Sequence, residues 1–204
     1  MNQPRPLLIG LTGNLGTGKS TVAATLAELG AETVDADKVG HEVMRADTEA
    51  HAAVVQAFGP GILAPDGEID RPRLASLAFA DSVALERLEA IIHPPTIAAI
   101  DERVAASTAS VFVIEAIKLI EAGMADRCDR VWVTTCDAEQ QFERVMEGRG
   151  WTLAETRRRL QAQSPQDEKA SRADVVIDTS VSFEHTRAQV EAAWAQLRES
   201  GLAA

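Results

Sequence analysis

Residues 13–21 read Gly13-Asn14-Leu15-Gly16-Thr17-Gly18-Lys19-Ser20-Thr21, and they match the pattern G-x-x-x-x-G-K-[ST] at every fixed position. A short apolar run of strand type, residues 7–11, precedes the stretch, and residues 21–29 follow it with the pattern of an amphipathic helix. Glycines let such a loop turn so that successive backbone N–H groups point inward, where the positive N-terminal end of the next helix adds to them. The stretch is therefore predicted to hold a polyphosphate.

Two side chains of this phosphate-binding loop (P-loop) have specific predicted roles. Lys19 is expected to reach the β and γ phosphates as a point charge, and the Ser20 hydroxyl is expected to bind Mg²⁺. The alternative is a glycine-rich turn that merely joins a strand to a helix, and the complete pattern with both flanks argues against it. The predicted nucleotide-binding residues of the loop are Gly13, Asn14, Leu15, Gly16, Thr17, Gly18, Lys19, Ser20 and Thr21.

Composition restricts the class of protein and its partners. The chain has 204 residues, 46% of them apolar, which suits one compact unit with an inserted subdomain. Its net charge of -11 argues against a nucleic-acid or membrane-surface partner. Cys128 and Cys136 have no metal-binding spacing and are expected to be reduced thiols. Because the sequence shows neither a signal peptide nor an apolar stretch of membrane-spanning length, we expect a cytoplasmic protein, monomeric or a small homo-oligomer.

The order of predicted strands and helices indicates an α/β fold with a five-stranded parallel sheet and helices on both faces. The second and third strands are separated by residues 38–109, too long a segment for one crossover helix, so a helical subdomain is predicted there. Its predicted helices cover 39–58, 72–80 and a segment from Ser82 that Pro94-Pro95 should break or bend. The predicted strands are Leu7 to Leu11, Glu32 to Asp35, Ser110 to Glu115, Arg130 to Thr134 and Asp174 to Ile177.

A pair of carboxylates, Asp35 and Asp37, follows the second predicted strand. Ligands of open parallel sheets bind beyond the carboxyl ends of the strands, which places both residues on the same rim as the P-loop. One carboxylate is expected to accept a proton from an attacking hydroxyl while the other, Asp35, helps to hold Mg²⁺. The alternative is that one of them simply caps the helix that starts near Lys38.

A basic segment follows the fourth predicted strand. Residues 144–172 contain seven basic and four acidic residues, hence a net charge of +3 in an acidic chain. Asp137 and Gln140 have the types expected at a capped helix start, and that helix should present Arg144 before the glycines around Arg149 end it. The segment is a candidate lid that closes on the nucleotide and brings arginines to the transferred phosphoryl group. Arg149 is the first candidate, Arg144 and Arg159 follow, and Arg157 and Arg158 are expected at the surface.

Taken together, these motifs resemble the dephospho-CoA kinase family over nearly the whole chain. The P-loop is shared by many families, whereas the Asp-Ala-Asp pair at this distance from it, with the His-Pro motif and the basic lid, is far more specific. The residues that carry the resemblance are Leu11 to Gly13, Asp35 to Asp37, Phe58-Gly59, Asp66-Gly67, Asp70-Arg71, Leu88 to Pro94, Arg159, Gln163, Lys169 and Ala173 to Asp178.

The resemblance implies a P-loop kinase fold and transfer of the ATP γ-phosphoryl group to the ribose 3′-hydroxyl of dephospho-CoA. It implies that Asp37 activates that hydroxyl, that Lys19 and Ser20 serve ATP and Mg²⁺, and that Arg149 serves the phosphates. His93 is implied as a substrate-side or structural residue, although by spacing alone it would be a helix-end hydrogen-bond donor. The expected regions are a nucleotide-binding core (1–37 and 110–204) with its lid at about 144–172, and a CoA-binding subdomain (38–109).

Two positions depart from the family pattern, and two other functions remain open. Residues 117–121 read Ile-Lys-Leu-Ile-Glu where members often have Pro-Leu-Leu, so Lys118 adds a positive charge. Thr179 stands where many members carry Asn, so an adenine contact by that amide is absent or replaced by backbone. The alternatives are another small-molecule or nucleoside monophosphate kinase, and a nucleotide-dependent switch module.

Overall fold

The structure, a computed structural model, describes residues 5–201 with the exception of the Arg149 side chain. The described chain divides into two compact units, residues 5–35 with 107–201 and residues 36–106. Its strands are β1 (Leu7–Gly13), β2 (Glu32–Asp35), β3 (Val111–Glu115), β4 (Arg130–Thr135) and β5 (Val175–Asp178). Its helices are α1 (Lys19–Glu28), α2 (Ala36–Val43), α3 (Glu49–Phe58), α4 (Arg71–Ala78), α5 (Ser82–Ala106), α6 (Ala138–Arg149), α7 (Leu153–Gln161), α8 (Gln166–Ala170) and α9 (Phe183–Glu199).

The first unit is built on a five-stranded sheet in the order β2-β3-β1-β4-β5, with all neighbouring pairs parallel. The central strands are continuously apolar because they are buried on both faces, as expected of a parallel sheet. In β3, for example, Val111, Phe112, Val113 and Ile114 are all buried. The predicted α/β class, the five strands and their parallel arrangement are confirmed.

Helices α1 and α9 cover one face of this sheet. Their buried side chains pack with Ile9 and Leu11 of β1 and with Trp132 of β4 in one hydrophobic cluster. The helical members of that cluster are Val22, Ala23, Leu26, Val190, Ala193, Trp194 and Leu197.

On the other face, a glycine in β1 lets the segment after β3 approach closely. A Cβ atom at Gly10 would lie 2.5 Å from Leu119 Cδ2 and 2.8 Å from Cys128 Sγ, so any side chain there would collide. Helix α8 packs against β4. The sheet thus has helical cover on one face and is closely approached on the other by the segment that follows β3.

The second unit, residues 36–106, is helical, and α2, α3 and α4 each contact the long helix α5. Its small core contains Val54, Ile62, Ile69 and Leu74. The helix predicted over 39–58 is in fact two helices, because the chain turns at Asp47 (φ 70°) and α3 starts again at an N-cap, Thr48, which accepts the N–H of His51.

Pro94-Pro95 do not break helix α5, which runs from Ser82 to Ala106. The expected break was wrong, although each proline lacks the N–H that would bond to the residue four positions earlier. The next residue, Thr96, donates its hydroxyl Oγ1 to the carbonyl of Ile92 at 2.7 Å. The helix continues because buried Thr96 and Ile100 after the proline pair, and half-buried Leu88, Ile91 and Ile92 before it, hold it to its neighbours.

Candidate active site

The P-loop joins the buried end of β1 to α1, and its backbone conformation requires glycine. Gly13, Gly16 and Gly18 have φ values of 151°, 79° and 77°, which side chains rarely tolerate. A Cβ atom at Gly13 would lie 2.2 Å from Thr134 Oγ1 and 2.6 Å from the Thr134 carbonyl oxygen. The glycines of the motif are therefore fixed by close packing of the loop on β4 as well as by its turns.

Lys19 is buried inside this loop. Its side chain is 7% exposed, and Nζ donates to the carbonyl oxygens of Gly13 and Asn14, both at 3.0 Å. The same end of the loop is fixed by Thr17, whose hydroxyl shares a hydrogen bond of 2.7 Å with Thr134 Oγ1. Because the ammonium group bonds to carbonyls of the loop itself, it is placed to meet the oxygens of a phosphate bound there.

Three oxygen-bearing side chains lie at the carboxyl ends of β2 and β3. Ser20 Oγ donates to Glu115 Oε1 at 3.1 Å, and Glu115 is the register partner of Asp35. Sequence reasoning did not find Glu115, although a single carboxylate that ends an apolar strand was a usable signal. Hydroxyl and carboxylate oxygens are the donors that Mg²⁺ prefers, and one or two carboxylates suffice because phosphates and water complete its shell. The types of these residues fit Mg²⁺. Within residues 5–201 no group of three or more His, Cys, Asp or Glu that could hold a metal ion is found.

Two other predicted site residues belong to the helical unit. Asp37 lies in the first turn of α2 and is exposed. His93 is half-buried within α5, thirteen residues before its last residue, so its interpretation as a helix-end donor was wrong. The roles of both residues toward a substrate remain predictions.

Arg144 connects α6 to the chain after β5. Its guanidinium donates to Thr179 Oγ1 at 2.9 Å and to the Thr179 carbonyl at 2.7 Å, while the residue stays exposed to solvent. Thr179 is itself buried, and its hydroxyl lies 3.2 Å from the carbonyl of Thr17 in the P-loop. At the position where the family pattern often has Asn, this chain therefore uses Thr to link Arg144 to the P-loop.

The predicted cap at the start of α6 does not form. Asp137 occupies the N-cap position, but its side chain accepts no capping hydrogen bond. Gln140 instead donates to the carbonyl of Ser180 at 2.5 Å, and the Asp137 N–H donates to Ser180 Oγ. Hydrogen bonds to Ser180, after β5, therefore take the place of the capping hydrogen bonds that were expected within the first turn of α6. The predicted end of the helix is confirmed, since Gly150 follows it in the left-handed conformation.

The basic residues of the predicted lid differ in their environments. Arg159 pairs with Glu155 at 2.9 Å and lies over the Trp151 ring, 4.1 Å from its centroid. Arg157 and Arg158 are exposed, as expected. The side chain of Arg149, the first-ranked arginine, lies outside the described residues.

Lys169 is a buried anchor for the segment after β3. Its side chain is 3% exposed, and Nζ donates to the Ile117 carbonyl at 2.6 Å and pairs with Glu121 Oε1 at 3.0 Å. Burial acts to raise the pKa of Glu121, but a backbone hydrogen bond and then the hydrogen bond and charge of Lys169 bring that pKa below its ordinary value. One of the seven basic residues of the candidate lid, Lys169, is therefore engaged in a buried structural ion pair. Lys118, the extra charge of this segment, is exposed.

The fold and the site together define the class of protein. A parallel sheet in the order β2-β3-β1-β4-β5 presents a complete P-loop at the end of its central strand, with a buried lysine and a hydroxyl-carboxylate pair beside it. These are the parts of a P-loop kinase. Solved structures agree at the level of the fold. Over 94% of this chain and 98% of the other, it superposes on shikimate kinase from Bacteroides thetaiotaomicron with a TM-score of 0.54 at 14% identity.

Comparisons of sequence identify the family within that class. The family model described as Dephospho-CoA kinase matches residues 7–185. The chain is 47% identical to the dephospho-CoA kinase of Geobacter sulfurreducens over 93% of its length and 98% of the relative's, and 43% identical to that of Moorella thermoacetica over 94% and 92%. A solved protein from Thermus thermophilus, 31% identical, superposes over 95% of this chain and 99% of its own with a TM-score of 0.84. The chain belongs to the dephospho-CoA kinase family.

No helix of residues 5–201 combines the length and apolar character needed to span a bilayer. The two cysteines are unpaired, and burial raises the pKa of Cys128 to about 11, so this sulfur is a protonated thiol at neutral pH.

Proposed function

We propose that this protein transfers the γ-phosphoryl group of ATP to the ribose 3′-hydroxyl of dephospho-CoA, giving coenzyme A and ADP. The observation that carries the proposal is the 47% identity to a protein named dephospho-CoA kinase along almost the full length of both chains. The geometry of the P-loop supports the nucleotide half of this reaction, because it combines glycines in the left-handed region, a helix N-terminus and a buried lysine.

Binding of the triphosphate is the first step. The backbone of residues 13–18 and the start of α1 form the cradle, and Lys19 moves its hydrogen bonds from the Gly13 and Asn14 carbonyls to phosphate oxygens. The exchange is favourable because a charged donor binds an anionic acceptor more strongly than a neutral carbonyl.

Ser20, Glu115 and Asp35 are the proposed magnesium-holding residues. When bound there, Mg²⁺ supplies positive charge that neutralises the β and γ oxygens during transfer. The Ser20 hydroxyl now donates to Glu115, so both groups are already turned toward each other. Their contribution is to orient oxygen donors before the ligand arrives, which reduces the reorganisation that binding requires.

Asp37 is the proposed general base. Its carboxylate accepts the proton of the 3′-hydroxyl as that oxygen bonds to the γ-phosphorus and the bond to the β–γ bridging oxygen breaks, releasing ADP. Two features support this role: Asp37 is exposed, and it follows the magnesium-side residue Asp35 by two positions at a strand end.

Cations of the lid complete the proposed site. Arg149 is assigned to the transferred phosphoryl group and Arg144 to the nucleotide, where developing negative charge would otherwise be unscreened. Arg144 is exposed although its guanidinium is anchored to Thr179 and to Gln140 Oε1, so a ligand can reach it. His93 is assigned to the substrate side, and the helical unit 36–106 to binding of dephospho-CoA.

The cellular setting is part of the proposal. We propose a cytoplasmic enzyme, monomeric or a small homo-oligomer, which acts on the two small molecules and needs neither nucleic acid nor a membrane. A net charge of -11 supports this, since a broadly acidic surface repels polyanions.

The deciding experiment is an acceptor-dependent kinase assay on the full chain. ATP and Mg²⁺ are mixed with dephospho-CoA, and both ADP release and the phosphorylated product are measured, the latter by mass spectrometry. The 3′-deoxy analogue of dephospho-CoA is the matched control, because it differs only in the reacting hydroxyl.

Each outcome distinguishes one function. ADP release that needs dephospho-CoA and disappears with the 3′-deoxy analogue supports the proposal. Phosphorylation of shikimate or a nucleoside monophosphate in preference to dephospho-CoA would identify another small-molecule kinase. Slow ADP release that no acceptor accelerates would point to a nucleotide-dependent switch.

A further inference from the structure

The backbone N–H and carbonyl of Leu15, in the middle of the P-loop, are both held by glutamine side chains, and these glutamines flank residues 142–162, the α6–α7 part of the predicted lid. The Leu15 N–H donates to Gln163 Oε1 at 2.9 Å, and Gln141 Nε2 donates to the Leu15 carbonyl at 2.8 Å. Gln141 lies in α6, which leads into the lid, and Gln163 lies two residues beyond the end of α7, where the chain leaves it.

A second contact fixes the residue before Leu15 to the same part of the chain, residues 163–165 between α7 and α8, which we call the exit segment. Asn14 is 6% exposed, and its Nδ2 donates to the Ser164 carbonyl at 2.8 Å. The Asn14 side chain is thus turned away from the phosphate cradle and toward the lid exit. Two successive P-loop residues are therefore bonded to two successive residues of the exit segment.

The entry and exit of the lid are also joined to each other. Gln166 Nε2 lies 3.4 Å from Gln141 Oε1 and 3.0 Å from the Cys136 carbonyl, and Gln166 Oε1 accepts the N–H of Cys136. Gln141 is 7% exposed, so it has little freedom to take another partner. A shift of either end of the lid would change the hydrogen bonds of the Leu15 backbone directly.

We propose that Gln141 and Gln163 are positioning residues that couple the lid to the P-loop, so that the geometry of the phosphate cradle and the position of the lid change together. Gly16, the next residue, has a φ of 79° and would place a Cβ 2.9 Å from the Gln141 carbonyl oxygen. The coupling is thus carried by packing as well as by hydrogen bonds. It rests on the nucleotide half of the proposed function and not on the identity of the acceptor.

The test removes each hydrogen bond while keeping the size of the side chain. Gln163→Met loses the acceptor for the Leu15 N–H, and Gln141→Met loses the donor to its carbonyl. Gln161→Met is the matched control, because Gln161 is exposed at the end of α7. Binding of ATP with Mg²⁺ is measured by calorimetry without acceptor, and hydrogen exchange is measured over residues 150–162 with and without ATP.

We expect Gln163→Met to weaken ATP binding at least about fivefold, the effect of leaving one backbone group without its partner. ATP should slow hydrogen exchange in the lid of the unsubstituted protein and of Gln161→Met, but much less in Gln163→Met. The double variant Gln141→Met/Gln163→Met should lose less than the product of the single effects, because both side chains act on one backbone unit.

Two results would overturn the coupling. One is ATP affinity within twofold of the unsubstituted protein together with full protection of the lid by ATP. The other is a lowered Tm in Gln163→Met with unchanged ATP affinity, which would make the glutamines ordinary stabilising contacts. Failure of the acceptor assay would affect neither result, since no acceptor is present in these measurements.

Discussion

The P-loop and the lid carry the chain's two groups of predicted phosphate-binding cations, and they differ in how each cation is held. In the P-loop, Lys19 bonds to carbonyls of the loop itself, five and six residues away in sequence. In the segment 144–172, Lys169 bonds to Ile117 and Glu121, and Arg144 bonds to Thr179, at separations of 35 residues or more. Lys19 is thus held within its own loop, whereas Lys169 and the contacts of Arg144 with Thr179 depend on distant partners.

The difference shows that a net charge is a poor guide to a binding surface. The segment 144–172 has a net charge of +3, but its basic residues have separate tasks. Lys169 is buried in an ion pair, Arg159 stacks on Trp151, and Arg157 is exposed. Arg144 stays exposed although it bonds to Thr179, so it differs from Lys169 in remaining accessible to a ligand.

The largest effect is expected for Lys19→Ala. We expect turnover to fall at least about a thousandfold, the upper range for removal of one preorganised donor to developing charge. The Tm should stay close to that of the unsubstituted protein, because the lysine bonds to loop carbonyls that water can reach once the side chain is gone. Steady-state kinetics and thermal unfolding of the same preparation check both parts. Loss of the cooperative unfolding transition would show that Lys19 supports the fold.

The two carboxylates at the end of β2 should separate into two roles. Asp37→Asn is expected to lower kcat by several hundredfold, within the range of about 10²–10⁴ for general base catalysis, with little change in ATP affinity. Asp35→Asn should instead raise the Mg²⁺ concentration needed for half-maximal rate. A Mg²⁺ titration of both variants decides: rescue of Asp37→Asn by excess Mg²⁺, without rescue of Asp35→Asn, would reverse the assignment, and two unchanged variants would make both residues helix caps.

For the lid, Arg149→Ala is expected to lower kcat by at least roughly a hundredfold, since it removes a cation from the transferred phosphoryl group. Arg157→Ala is the control, because Arg157 is exposed in the same segment. If kcat of Arg149→Ala stays within a factor of about three, less than 1 kcal/mol of transition-state stabilisation is involved and Arg149 is a surface residue.

Lys169→Met should show the opposite behaviour to Lys19→Ala. It leaves the Ile117 carbonyl and Glu121 without their buried donor, which should lower the free energy of unfolding by about 1–3 kcal/mol. ATP binding should change far less than it does in Lys19→Ala. Urea unfolding and calorimetry measure the two quantities. If Lys169→Met kept its free energy of unfolding but lost ATP binding, Lys169 would be a nucleotide-binding cation of the predicted lid. The contrast between the P-loop and the lid would then not hold.

The smallest effect concerns the pH dependence of the Lys169–Glu121 pair. Because the pKa of Glu121 is lowered in the folded state, its contribution to stability is present above its ordinary pKa of 4.5 and is lost as the pH falls through the lowered value. The side chain is 34% exposed, so we expect less than about 1 kcal/mol. Unfolding curves of Glu121→Gln and the unsubstituted protein should differ at pH 6 and converge below pH 4. A constant difference over this range would contradict the assignment.

Sequence patterns predicted the sheet well because strands that are buried on both faces form short, continuous apolar runs, which can be recognised in the sequence. The second strand was predicted at Glu32–Asp35, where the structure has it, and β1 extends the predicted run by two residues into the P-loop. Patterns failed at Pro94-Pro95 and at Asp137 for one reason. In both places contacts with other parts of the chain outweighed a local preference of the backbone.

The candidate site also has one part that the sequence predicted and one part that it did not. Glycine, lysine and serine at fixed spacing are sufficient to predict the P-loop, because its left-handed turns and the hydrogen bonds of Lys19 involve neighbours in sequence. Glu115 was missed because its place beside Ser20 arises from pairing of β3 with β1, at a separation of 95 residues. Nothing in the local sequence marks a glutamate at a strand end as a partner of that particular hydroxyl.

The sequence by itself determined the phosphate-binding loop, the parallel α/β sheet and the family, since each rests on short-range pattern or on residue identity along the chain. Tertiary structure alone decided which basic residues of the lid are committed to the fold, that Thr179 links Arg144 to the loop, and that Gln141 and Gln163 hold Leu15. The physical reason is that the partner of a long polar side chain depends on which segments the fold brings within about 3 Å of it, and hydrogen bonds at that range carry no trace in local sequence.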